Sequence, residues 1–155
     1  AETLIVTRSL FKSHALAGLR VVYALRSAAL IEGLIRVKDS FDCYPFDQIA
    51  QRVGAAAIED TQWLSHSSQV VKDNRGKISE SLTNLGFEVC PSLANFIFVK
   101  HPDHEGRVLF EHLRENNILV RRWDKKAIAS YLRITVGTEA ECAALVRRLA
   151  DYCAA

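Results

Sequence analysis

Ser9-Leu10-Phe11-Lys12-Ser13-His14-Ala15-Leu16-Ala17-Gly18-Leu19-Arg20 is the stretch on which the reading of this chain turns. It lies between two apolar, β-branched runs, Leu4 to Thr7 and Arg20 to Leu25. Both runs read as strands, and residues 8 to 19 read as the loop that joins them. A lone loop lysine is usually a solvated charge. Here a serine stands three residues before Lys12 and an arginine eight after it. Gly18 is expected to let the backbone turn back toward the second strand.

The bulk composition narrows what such a loop serves. The chain has 155 residues, 49% of them hydrophobic, which is enough for an ordinary core. Twenty basic side chains against 18 acidic ones leave a net charge of +2. That balance, with no basic run interleaved with aromatics, argues against nucleic acid as a partner. A phosphate-bearing small ligand needs only a few placed cations and stays open. Cys43, Cys90, Cys142 and Cys153 form no CxxC pair and match no zinc spacing, so they read as reduced, packed thiols and no metal is expected. No apolar run approaches the roughly 20 residues of a membrane span. Ala1-Glu2-Thr3-Leu4-Ile5-Val6 carries no basic n-region. The expectation is a cytoplasmic protein of mixed α/β class without membrane partners. The chain holds no Met and opens almost at once on a strand-like run, which suggests a piece of a longer protein.

Downstream the periodicity is helical, then mixed. Ser27 can cap a helix from Ala28 to Val37, with Leu30, Leu34 and Val37 on one face. Residues 38 to 45 read as an irregular linker ending at Pro45. A helix follows from Phe46 to Ile58, and Asp60 caps a long one running to Leu85, with Gly86 at its C′ position. Phe87 to Cys90 and Asn95 to Lys100 read as strands, and His101-Pro102-Asp103-His104 as an exposed turn. A helix from Gly106 to Asn116, strands Ile118 to Arg121 and Leu132 to Val136, and a helix from Glu139 to Tyr152 complete the chain. The last 70 residues thus read β-β-α-β-β-α, a compact α+β layer. The division expected is 1–45, a remnant of a larger sheet; 46–85, connecting helices; and 86–155, a small α+β domain.

The loop segment resembles the cofactor-lysine segment of fold-type I pyridoxal-phosphate-dependent aminotransferases, with Leu16-Ala17-Gly18-Leu19-Arg20 intact. Tyr131-Leu132-Arg133-Ile134-Thr135-Val136-Gly137-Thr138 resembles a small-domain strand of the same family, and Pro91-Ser92-Leu93-Ala94-Asn95-Phe96 a strand entry. Val37-Lys38-Asp39-Ser40-Phe41-Asp42-Cys43-Tyr44-Pro45 and Ile118-Leu119-Val120-Arg121 narrow the likeness to the histidinol-phosphate aminotransferases. The resemblance implies the end of the large-domain sheet plus a complete small domain. It also implies pyridoxal 5'-phosphate as cofactor, and Lys12 as both its covalent anchor and the general base. Ser9 and Arg20 would hold the cofactor phosphate. Arg133 would bind the substrate's anionic group, and Arg121 would join it on the substrate phosphate, Arg122 pointing the other way. The substrates implied are an amino acid and a phosphorylated partner, glutamate and imidazole-acetol phosphate, in histidine biosynthesis; the assembly implied is a homodimer.

Two positions depart from the family pattern. Phe11 stands where a hydroxyl residue usually precedes the lysine, and Val22 stands where a glycine is usual. The acid that pairs with the pyridine nitrogen, the tyrosine at the phenolic oxygen and the first phosphate loop have no counterpart here. The expectation is therefore a transamination centre incomplete in this chain. The competing reading is a non-catalytic module that folds and dimerises. His101 and His104 form an HxxH pair without a third ligand in sequence, and His14 is expected to pack near the phosphate loop.

Overall fold

The computed structural model describes residues 4–154. Two compact units divide the chain, Ala1–His66 and Ser67–Ala155.

In the first unit, β1 (Val6–Ser9) pairs antiparallel with β2 (Val22–Leu25), Ser9 facing Val22 and Val6 facing Leu25. The strand lies two residues later than its apolar run suggests, because Ser9 is drawn into the ladder. Between the strands the chain is ordered. A single-turn helix, α1 (Leu10–Ser13), leads into a 3-10 turn at Ala17–Leu19. The reversal expected at Gly18 is made elsewhere: Ala15 and Arg20 take φ of 55° and 56°, and Gly18 sits inside the 3-10 turn without a positive φ. The Arg20 N–H donates to the Ala17 carbonyl and closes that turn. Leu10 is buried, and its N–H donates to the Val21 carbonyl at 3.2 Å, pinning the loop back on itself.

α2 (Ala28–Phe41) follows and runs four residues beyond the helix read from sequence. It buries none of its residues; Val37 is 62% and Phe41 80% exposed. α3 (Gln48–Glu59) is capped by the Asp47 carboxylate, which accepts from the Ala50 N–H at 2.8 Å. α4 (Thr61–Asn84) begins where Asp60 accepts from the Trp63 N–H, and it passes from the first unit into the second.

The second unit carries a continuous core. α4 ends at Gly86, whose φ of 88° is open to a residue without Cβ. The Phe87 N–H returns to the Leu82 carbonyl at 3.0 Å, and the Gly86 N–H to that of Thr83. β3 (Glu88–Val89), β4 (Phe96–Lys100) and β5 (Leu132–Thr135) form an antiparallel sheet in that order. Period-two alternation decides its faces. Ile97, Val99, Leu132 and Ile134 are at most 1% exposed. They pack with Ile78 and Leu82 of α4, with Leu109 and Leu113 of α5 (Gly106–Glu115), and with Leu145 and Leu149 of α6 (Glu139–Cys153). The strand expected over Ile118 to Arg121 reduces to one bridge, Arg121 to Arg133. Asn117 turns the chain at φ 60° and Ile118 bonds back to Leu113, so the segment meets the sheet only at its last residue.

Candidate active site

The first unit gathers Ser9, Lys12 and Arg20 at one end of the β1–β2 hairpin. Ser9 ends β1, its hydroxyl makes no capping bond to α1, and its carbonyl accepts from the Ser13 hydroxyl at 3.2 Å. Lys12 lies one turn on, exposed, in the middle of α1. Arg20 returns to the same end, its guanidinium 4.4 Å from the centre of the Phe11 ring. Phe11 thus replaces a hydroxyl with a surface on which the arginine rests, a cation–π contact. Among the described residues, neither Lys12 nor Arg20 has a carboxylate partner. An amine, a hydroxyl and a fixed guanidinium, none neutralised within the unit, suit a phosphate-bearing aldehyde such as pyridoxal phosphate. The residues present therefore fit that group.

His14 stands close by. Its Nδ1 lies 2.9 Å from the Ser13 hydroxyl, and its ring stacks on Trp63 with centroids 5.9 Å apart. The ring is committed to packing against the start of α4.

The second unit brings Arg121 and Arg133 together. The Arg121 N–H donates to the Arg133 carbonyl at 3.0 Å, and the Arg133 N–H to the Arg121 carbonyl at 2.8 Å. Residues so paired sit about 5.5 Å apart at Cα with side chains on one face. Like charges directly opposite repel, yet no carboxylate stands between them among the described residues. Arg133 Nε is buried and lacks a hydrogen-bond acceptor. A buried polar atom without a partner is costly, so an external acceptor would be favourable there. Arg122 differs: it donates to Asp124 at 2.6 Å and to the Ala129 carbonyl at 2.9 Å, so its charge is spent locally.

Sequence reasoning did not find the aromatic floor of this face. The Arg133 guanidinium lies 5.0 Å from the Phe96 ring centre, and that of Arg121 lies 4.9 Å from Trp123. Phe98 stacks on Tyr131 with centroids 4.5 Å apart. The signal was present in the alternation, since Phe96 and Phe98 share a face opposite Ile97 and Val99. A separate cleft of 490 Å³ lies beside Ile134, Gly137 and Cys142, and none of the five residues named as site candidates lines it. Asn95 takes part through its backbone, its carbonyl accepting from the Val136 N–H.

Known proteins bear on these two clusters. The chain is 52% identical over 151 residues to histidinol-phosphate aminotransferase 2 of Thiobacillus denitrificans, covering 97% of this chain and 42% of that protein. It is 51% identical over 146 residues to histidinol-phosphate aminotransferase of Gluconacetobacter diazotrophicus, covering 94% of this chain and 41% of that protein. The chain therefore spans about two fifths of the length of these relatives. In fold it resembles histidinol-phosphate aminotransferase from Sinorhizobium meliloti, solved in complex with pyridoxal-5'-phosphate. The TM-score is 0.84 at 21% identity, over 99% of this chain and 42% of that one. The architecture is that of the C-terminal part of a fold-type I aminotransferase. The family model described as aminotransferase class I and II matches residues 1–149, and the chain belongs to that family.

Proposed function

We propose that this chain carries the lysine-bearing part of a pyridoxal-phosphate-dependent aminotransferase centre. The reaction is amino-group transfer between histidinol phosphate or imidazole-acetol phosphate and the glutamate–2-oxoglutarate pair. The observation that carries the reading is the hairpin end on which Ser9, Lys12 and Arg20 stand together with no internal counter-charge. The names of relatives about half identical to this chain support the histidine-biosynthetic substrate. A cytoplasmic homodimer is the setting that reading implies; no helix among the described residues is long and apolar enough to cross a membrane.

When bound, the cofactor supplies an electron-withdrawing ring that stabilises charge at the substrate carbon. Lys12 Nζ would hold the cofactor's aldehyde carbon, and its amine would take and return the substrate's α-proton. Arg20 and the Ser9 hydroxyl hold the cofactor phosphate. Arg133 binds the glutamate carboxylate, and Arg121 joins it on the phosphate of the second substrate. The acceptorless Arg133 Nε supports that assignment.

A second reading is a non-catalytic module, favoured by the uncovered apolar side chains of the first unit, Val6, Val22 and Leu25 on the hairpin among them. One experiment separates the two. The chain is incubated with pyridoxal 5'-phosphate, reduced with borohydride and mapped by peptide mass. The expected result is a pyridoxyl group on Lys12, with capture weakened roughly tenfold by Arg20→Gln as one charge-assisted contact is lost. Absence of the label from Lys12 removes the cofactor reading. A label on Lys12 without amino transfer from glutamate selects the non-catalytic module.

A further inference from the structure

A second cluster of ligand-type side chains lies in the second unit, apart from both arginines. His101 follows the last residue of β4, His104 stands in the turn before α5, and Cys153 closes α6. One ligand atom from each can be chosen so that all lie within 4.8 Å of one another. The two imidazoles are in contact, with centroids 4.5 Å apart, and Tyr152 packs edge-on against His104. The turn read as exposed is therefore only partly so, since His101 is 9% exposed.

The hydrogen bonds of His101 fix its tautomer. Nε2 lies 3.2 Å from the Leu85 carbonyl and so carries the proton. Nδ1 accepts from the Asp103 N–H at 3.1 Å and so holds the lone pair. In a metal-ligating histidine one nitrogen donates to a backbone carbonyl, as Nε2 does here, while the other meets the ion; in His101 that second nitrogen is held by the Asp103 N–H. The ring occupies space that a side chain at position 86 would crowd, as a Cβ built on Gly86 would lie 3.0 Å from Nε2. No carboxylate partners either imidazole among the described residues. His112, the next imidazole along, faces the Arg148 carbonyl at 3.1 Å and packs against Tyr152.

We propose that His101, His104 and Cys153 form a binding site for a borderline-soft divalent cation, Zn²⁺ being the type, with water in the fourth position. Two imidazoles and a thiolate select such an ion over Mg²⁺ or Ca²⁺. Metal–ligand bonds of about 2.0–2.3 Å put donor atoms about 3.5 Å apart, so the side chains draw inward by about 1 Å. The Asp103 N–H, in an exposed turn, passes to water as Nδ1 turns to the ion. The Cys153 thiol releases its proton to solvent as the thiolate bonds the metal. The ion would fasten the last turn of α6 to the turn between β4 and α5, linking segments about 50 residues apart.

The test is a titration of the full chain with Co²⁺ and then Zn²⁺. One equivalent of Co²⁺ is expected to give the ligand-field bands of a four-coordinate site and a thiolate-to-cobalt charge-transfer band, both erased by Zn²⁺. Cys153→Ser should abolish the charge-transfer band, and His104→Gln should weaken Zn²⁺ binding roughly tenfold or more. Circular dichroism checks each variant's fold, and if His104→Gln does not fold, the Cys153→Ser spectrum decides. A missing thiolate band overturns the site. So does a band that survives Cys153→Ser, which would place the ion on Cys43, Cys90 or Cys142.

Discussion

Arg121 and Arg133 face one another across a hydrogen-bonded bridge in the second unit. Like charges on directly opposed residues repel, and neither arginine has a carboxylate partner among the described residues. Arg121→Gln should therefore leave the fold unharmed or stabilise it by roughly 0.2–1 kcal/mol. The same change should shrink the rise in melting temperature that inorganic phosphate gives the parent chain, and Arg133→Gln should shrink it further. Thermal melts with and without phosphate read both effects; an equal phosphate response in all three proteins would show that the pair holds no anion. The arginines themselves were visible in the sequence, embedded in strand-like runs. Their pairing was not, because it depends on the register set by the loop between positions 121 and 133. Strand alternation already set Arg122 apart from Arg121, and the ion pair with Asp124 spends its charge locally.

At the scale of elements, helix ends marked by a cap or a glycine were legible, while β1 lies two residues later and α2 ends four residues later than expected. Thr138 caps the last helix within a full capping box: its hydroxyl accepts from the Glu141 N–H while the Glu141 carboxylate accepts from the Thr138 N–H. Thr138→Ala should cost about 1 kcal/mol in chemical denaturation. The Thr138 N–H, and after it the hydroxyl, hold the Glu141 carboxyl below its ordinary value of 4.5. Its stabilising contribution is thus complete above that value and is lost as the pH falls through the depressed value in the folded state. Glu141→Gln, which keeps the bond without the charge, should flatten that part of the acid-side decline in melting temperature. An unchanged acid limb would mean that other carboxylates set it, Glu139 first among them, since Lys77 holds its carboxyl down too. Gly106 carries a constraint no periodicity reveals. A Cβ at the start of α5 would strike the Ser130 backbone carbonyl, so Gly106→Ala should destabilise the second unit although alanine is the better helix former. The strand expected over Ile118 to Arg121 failed to form for a reason equally hidden, as Ile118 is held by the Leu113 carbonyl and cannot join the ladder.

Over the whole molecule, the two units differ in how much of their apolar sequence they bury. Leu82, Ile97, Val99, Leu109, Leu113, Leu132 and Leu149 are all 0% exposed in the second unit. In the first, Leu10 and Ala50 are the buried hydrophobics among the described residues, while Phe41 and Ile49 are 80% and 70% exposed. A two-stranded hairpin without a covered apolar face is marginal in water. The amphipathic pattern of α2 was read correctly as a stripe, but a stripe says only that a face wants cover. Whether cover exists depends on the rest of the fold, and Leu34 and Val37 have none within this unit. Local opening should follow the same division. Native-state hydrogen exchange of the isolated chain should show amides of Phe96–Lys100 and Leu132–Thr135 exchanging only through global unfolding. Those of Val6–Ser9, Val22–Leu25 and α2 should exchange far faster, at free energies several kcal/mol lower. Leu149→Ala should cost about 2–5 kcal/mol by leaving a cavity in the core of the second unit. It should lower the protection of β4 and β5 together while leaving the hairpin amides unchanged. If the hairpin proved as protected as the sheet, or lost protection in step with it, the chain would be unfolding as one cooperative body, and its stability could not be divided at His66.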